Sequence, residues 1–151
     1  MLIGDTVRGS LMALAALGLV GCSSGPGDQM AELNQARDRW AAQGIPTYVM
    51  TVRRGCFCAG PLAAEVKVGE VAIERTDLDT GQPVPPEFAA LFPDIPGLFE
   101  MIRQEILRPA AALTVEYDAL RGFPTSIVVD RIKNAVDDEY GYTISAFRIG
   151  Q

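Results

Sequence analysis

The chain has 151 residues, a formal net charge of -6, 48% hydrophobic and 21% charged residues, and no histidine. That suffices for one domain with a single core and is too apolar for wholesale disorder. The acidic balance argues against nucleic acid as a partner, and the missing imidazole removes Ser/His/Asp triads, His-ligated zinc and imidazole acid/base chemistry.

The first stretch reads as an export signal. Arg8 supplies one positive charge, offset by Asp5, and an apolar run of ten residues follows from Leu11 to Val20. Ten residues make about 15 Å of helix, half of a bilayer core of roughly 30 Å, so a spanning anchor is the weaker reading. The run ends in Leu19-Val20-Gly21-Cys22, which resembles the lipobox of bacterial lipoproteins. That resemblance implies cleavage after residue 21, a diacylglycerol thioether on Cys22 and durable attachment to a membrane. The alternative is an ordinary secretory signal with an incidental cysteine. Residues 22–28 have the composition of a flexible tether. Ser rather than Asp at position 23 implies, by resemblance to Gram-negative sorting, an outer-membrane address facing the periplasm. Loss of Asp5 and Arg8 leaves the charge at -6.

Residues 29–151 are expected to form one domain. Met30, Leu33, Ala36, Trp40 and Ala41 recur at helical spacing and Gly44 stops the helix. Tyr48, Met50 and Val52 then alternate with polar residues as in a half-buried strand. Gly55 marks a bulge or bend before Cys56. A hairpin with a two-residue loop, Gly69-Glu70, pairs Val68 with Val71 and Val66 with Ile73. The proline-rich stretch from Thr76 to Pro96 reads as a surface crossing with a helical turn at Glu87 to Phe92. Asp94 and Pro96 open a helix with a Leu98, Phe99, Ile102, Ile106 stripe, closed by Pro109. Three strands complete the chain: one around Leu113 to Tyr117, one within Phe123 to Ile132, and one from Tyr142 to Ile149. The order α-β-β-β-α-β-β-β predicts an α+β domain, an antiparallel sheet of five to six strands with two helices on one face.

Chemistry converges on Cys56-Phe57-Cys58. A straight strand would set the two Cα atoms about 6.6 Å apart, near the upper limit for a disulfide, so a bond there needs a turn. Closing so short a loop is worth only about 1.5 kcal/mol in chain entropy. Three readings stay open: a local disulfide, two thiols buried as small hydrophobes, and a redox or soft-metal site. Two thiolates are too few to close a zinc site even with Met50 nearby, so no metal or cofactor is expected. Arg53 and Arg54 would favour a thiolate or bind a carboxylate if within reach, and are otherwise solvated strand-end charges. Asp137, Asp138 and Glu139 lack the alternation of a calcium loop and read as an acidic turn open to partner contacts. Trp40 reads as core.

Arg39-Trp40, Cys56-Phe57-Cys58, Val84-Pro85-Pro86-Glu87-Phe88, Gly97-Leu98-Phe99, Gly122-Phe123-Pro124 and Asn134-Ala135-Val136-Asp137-Asp138-Glu139 together resemble a bacterial family, the domain of unknown function 6174, over nearly all of residues 30 to 148. The resemblance implies no activity and no catalytic residue. The expectation is a lipid-anchored cell-envelope module that binds the membrane through Cys22 and serves as a non-catalytic binding or accessory protein, with an envelope protein as partner. The alternative is thiol-redox or soft-metal handling by Cys56 and Cys58.

Overall fold

The computed structural model describes residues 25–108, 110–133 and 138–150. Cys22, the export stretch, Pro109 and Asn134 to Asp137 lie outside the described residues.

Helix α1 (Pro26–Gln43) starts three residues before the expected Gln29, because Pro26 takes a first-turn position where its missing N–H costs nothing. Its end is as expected: Gly44 adopts φ 59° and its N–H reaches the Ala41 carbonyl. Then come β1 (Tyr48–Cys56), β2 (Ala63–Val68) and β3 (Ile73–Asp77), a 3-10 turn at Pro86–Leu91, α2 (Ile95–Leu107), and β4 (Ala112–Tyr117), β5 (Pro124–Asp130) and β6 (Tyr140–Ile149). Asp94 caps α2 by accepting the Gly97 N–H at 2.9 Å. No described helix is long and apolar enough to cross a membrane.

The six strands form one antiparallel sheet in the order β3-β2-β1-β6-β5-β4, two meanders joined edge to edge by β1 and β6. One core holds the inward residues Tyr48, Met50, Val52, Val66, Ile127, Val129 and Ile144 together with Leu33 and Ala36 of α1 and Leu98, Ile102 and Ile106 of α2. Both helices therefore cover the same face, and the fold is α+β with the expected order of elements. The Tyr48 hydroxyl ties β1 to α2 by accepting the Ile95 N–H at 3.0 Å.

Three local expectations are corrected. The β2–β3 loop holds four residues, with Val68 opposite Ile73 and the Gly69 N–H on the Ala72 carbonyl at 2.9 Å. Val71 is accordingly 99% exposed instead of paired. The slip of two leaves Val66, Val68 and Ile73 together on one face and Lys67 and Glu74 on the other, as expected, and sets Lys67 opposite Glu74, 3.2 Å apart. Strand β6 begins at Tyr140, two residues early. It also carries an extra residue: Val49 faces Arg148 while Thr51 faces Ser145. Ala146, at φ 49°, absorbs the extra residue. Tyr142 and Ile144 face the core before the bulge, and Phe147 joins them after it, stacked on Phe123 at 4.7 Å and edge-on to Trp40 at 5.8 Å. Gly122 lets the β4–β5 hairpin meet α1, since a Cβ there would collide with the Ala36 carbonyl.

Candidate functional site

Alternation in β1 runs unbroken to its last residue. Gly55 is a regular strand residue opposite Gly141, and Cys56 lies opposite Tyr140. The bend expected at Gly55 falls at Phe57 instead, just after the strand ends at Cys56. That turn brings the Cys56 and Cys58 Cα atoms to 5.3 Å, with the two sulfur atoms placed together. Phe57, at the tip, is 91% exposed.

Arg54 shares the inward face with Met50 and Val52 but lies beyond the helices' cover, opposite Tyr142. One guanidinium nitrogen donates to the Pro61 carbonyl at 3.1 Å and another to Cys58 Sγ at 3.1 Å. Its backbone N–H donates to the Leu62 carbonyl at 2.7 Å. Burial pushes the Tyr142 phenol up, and the Arg54 guanidinium pulls the other way. Arg53 is exposed on the opposite face, so of the two arginines only Arg54 meets the cysteines. Behind the pair a groove of about 670 Å³ runs over β1, β6 and β5, with Cys56 and Phe57 at one end and Val128 and Glu139 along it.

A second concavity lies on the same face of the sheet as the helices. Cys56, Tyr140, Val129 and Leu113 form one row across β1, β6, β5 and β4. At the Leu113 end a cleft of about 540 Å³ opens between α1, α2 and β4, with Ile102, Ile106 and Val115 as apolar wall and Gln29, Glu32 and Tyr117 at its polar margin. Gln29 Nε2 fixes α1 to the edge strand through the Leu113 carbonyl at 3.0 Å. Burial pushes the Tyr117 phenol up, and the Glu32 carboxylate adds to the effect.

Glu105 also lines this cleft and is only 7% exposed. Its Oε1 accepts from Arg131 Nη2 and from the Tyr140 hydroxyl, each at 2.7 Å, while Oε2 is buried without a donor. The Tyr140 phenol is pushed up to about 12, first by burial and then by its bond to the Glu105 carboxylate. A buried carboxylate with one unused oxygen carries a desolvation cost that a donor would relieve. Sequence reasoning missed Glu105, Arg131 and Tyr140. The signal was present: Glu105 falls three residues after Ile102 and one before Ile106, on the apolar stripe of α2.

Of the acidic turn, Asp137 lies outside the described residues, Asp138 is half-buried with both carboxylate oxygens unpartnered, and Glu139 is exposed beside the groove. Among the described residues no three Cys, Asp or Glu side chains gather for a metal ion.

Sheet and helices define a class, an antiparallel α+β domain, with Arg54, the cysteine pair and the Glu105–Tyr140 pair toward the same end of the central strands. The model of a family of unknown function (DUF6174) matches residues 32–149, and the chain belongs to that family. No curated protein and no solved structure matches.

Proposed function

We propose that this protein is a lipid-anchored module of the bacterial cell envelope, held to the outer membrane through acylated Cys22 and facing the periplasm, whose domain binds a ligand or partner side chain in the cleft between α1, α2 and β4. The observation that carries the binding reading is Glu105, a carboxylate in the wall of an apolar cleft with one oxygen lacking a donor. An occupant with an apolar body and an N–H or O–H donor satisfies both. Mass spectrometry of the native amino terminus tests the anchor: a diacylated Cys22 supports it, and a Cys22→Ala protein that stays with the membrane counts against it. The cleft is tested with a photo-crosslinking residue at Leu113 and at Thr51 on the opposite face. A discrete adduct from Leu113 that disappears in Glu105→Leu supports the reading; equal adducts from both positions remove it.

A second reading is favoured by one contact, the Arg54 guanidinium on Cys58 Sγ. In it, Cys56 and Cys58 form a disulfide that exchanges with thiols in an oxidising compartment. Reduction by a graded thiol buffer, followed by alkylation and mass spectrometry, tests it. A pair still oxidised in millimolar dithiothreitol would end that reading.

A further inference from the structure

Resting on the exchange reading, the two sulfurs are not equivalent. We propose that Cys56 is the sulfur attacked by an incoming thiol and Cys58 the one that leaves, with Arg54 as the group that holds the departing charge. Two features single out this direction. Arg54 Nη2 points at Cys58 Sγ, where a guanidinium stabilises a thiolate and hence a leaving sulfur. The guanidinium is itself held, by the Pro61 carbonyl and by its place opposite Tyr142, so it need not move during the reaction.

The co-reactant is a dithiol, such as a pair of reduced cysteines on a partner protein. Its first thiolate attacks Cys56 Sγ, the Cys56–Cys58 bond breaks, and the electron pair goes to Cys58 Sγ beside Arg54. The partner's second thiolate attacks its own sulfur in the mixed disulfide, and Cys56 leaves and takes a proton from solvent. The partner gains a disulfide, Cys56 and Cys58 gain two electrons, and the protons lost by the partner's thiols balance those taken up by the two cysteines.

The experiment uses the oxidised protein and reduced glutathione as the probe, with acid quenching and tandem mass spectrometry between Cys56 and Cys58. The expected adduct is on Cys56. Arg54→Met is expected to form it about tenfold more slowly near neutral pH, Arg54→Lys to recover part of the rate, and Arg53→Met to match the parent protein. In reduced protein, Cys58 is expected to alkylate at lower pH than Cys56, a difference Arg54→Met abolishes. Glutathione on Cys58, or an Arg54→Met rate equal to the parent's, overturns the assignment while leaving exchange intact. A protein that forms no adduct on either cysteine removes the exchange reading and the assignment with it. Arg54→Lys failing as completely as Arg54→Met makes Arg54 a clamp on the Pro61 loop and overturns its role toward the leaving sulfur.

Discussion

Tyr48, Met50 and Val52 stand on the same face of the same strand as Arg54 and Cys56, yet the first three are buried beneath the helices and the last two are not. At the covered end β1 meets an aromatic cluster of Trp40, Phe123 and Phe147 and the start of α2. At the open end the same face carries a guanidinium, two cysteines and, across the row, a phenol on a buried carboxylate. Strand alternation assigns a face; what packs over that face decides whether a residue becomes core or chemistry. Core residues here can change only at the cost of packing, whereas the open row is free to hold groups that packing would exclude.

The comparison is broken most directly by emptying the covered half. Met50 is fully buried, and Met50→Ala is expected to cost about 2 to 5 kcal/mol in denaturant unfolding. A loss below about 1 kcal/mol would mean that the helices collapse onto the gap and that the covered end is not tightly packed. Next in size is the carboxylate of the open row. Arg131→Met leaves Glu105 with the Tyr140 hydroxyl alone and is expected to cost about 1 to 3 kcal/mol. Glu105→Leu removes the buried charge and its desolvation cost, and is expected to be neutral or stabilising because the Arg131 side chain is 49% exposed and turns to water instead of being left as a buried charge. That opposite sign separates a carboxylate kept for binding from one kept for the fold, and a Glu105→Leu protein as unstable as Arg131→Met would place Glu105 with the core. Smaller still, Cys56→Ser combined with Cys58→Ser is expected to cost about 1.5 kcal/mol or less, because so short a loop constrains the unfolded chain little. A substantially larger loss would make the pair a staple and pull it to the covered side of the comparison.

Much of the covered half was legible in the sequence. Tyr48, Met50 and Val52 alternate, Leu98, Ile102 and Ile106 recur at helical spacing, and Gly44 and Asp94 stand where helix ends need them. These signals are local and each is tied to burial. What stayed hidden was not. The β2–β3 register slipped by two residues because a period of two cannot detect it, and only the Lys67–Glu74 pairing argues for the observed choice. Ala146 gives no sign of a bulge, since its left-handed backbone is imposed by Phe147 turning in to stack on Phe123. Of the open row, the cysteines and Arg54 could be named but not placed, because the turn after Cys56 depends on the path through Pro61 and Leu62. Glu105 was readable as an acidic residue on an apolar stripe, but its partners Arg131 and Tyr140 are brought by strands more than twenty residues away.

The finest test compares the two phenols that bracket β1. Tyr48 at the covered end and Tyr140 at the open end are both pushed up to about 12, chiefly by burial. In each case the fold favours the protonated phenol over the unfolded value near 10. The stability contributed is therefore whole below pH 10 and lost as pH climbs toward 12. Urea midpoints across that window are expected to fall in the parent protein and to fall less steeply in Tyr48→Phe and in Tyr140→Phe. The Tyr48 substitution should flatten the slope more, because its hydroxyl sits inside the packed core on the Ile95 N–H while Tyr140 lies nearer solvent with Arg131 beside it. Equal flattening would show that Tyr140 is sealed from water as completely as Tyr48, and that the open row is covered in solution by something that excludes solvent.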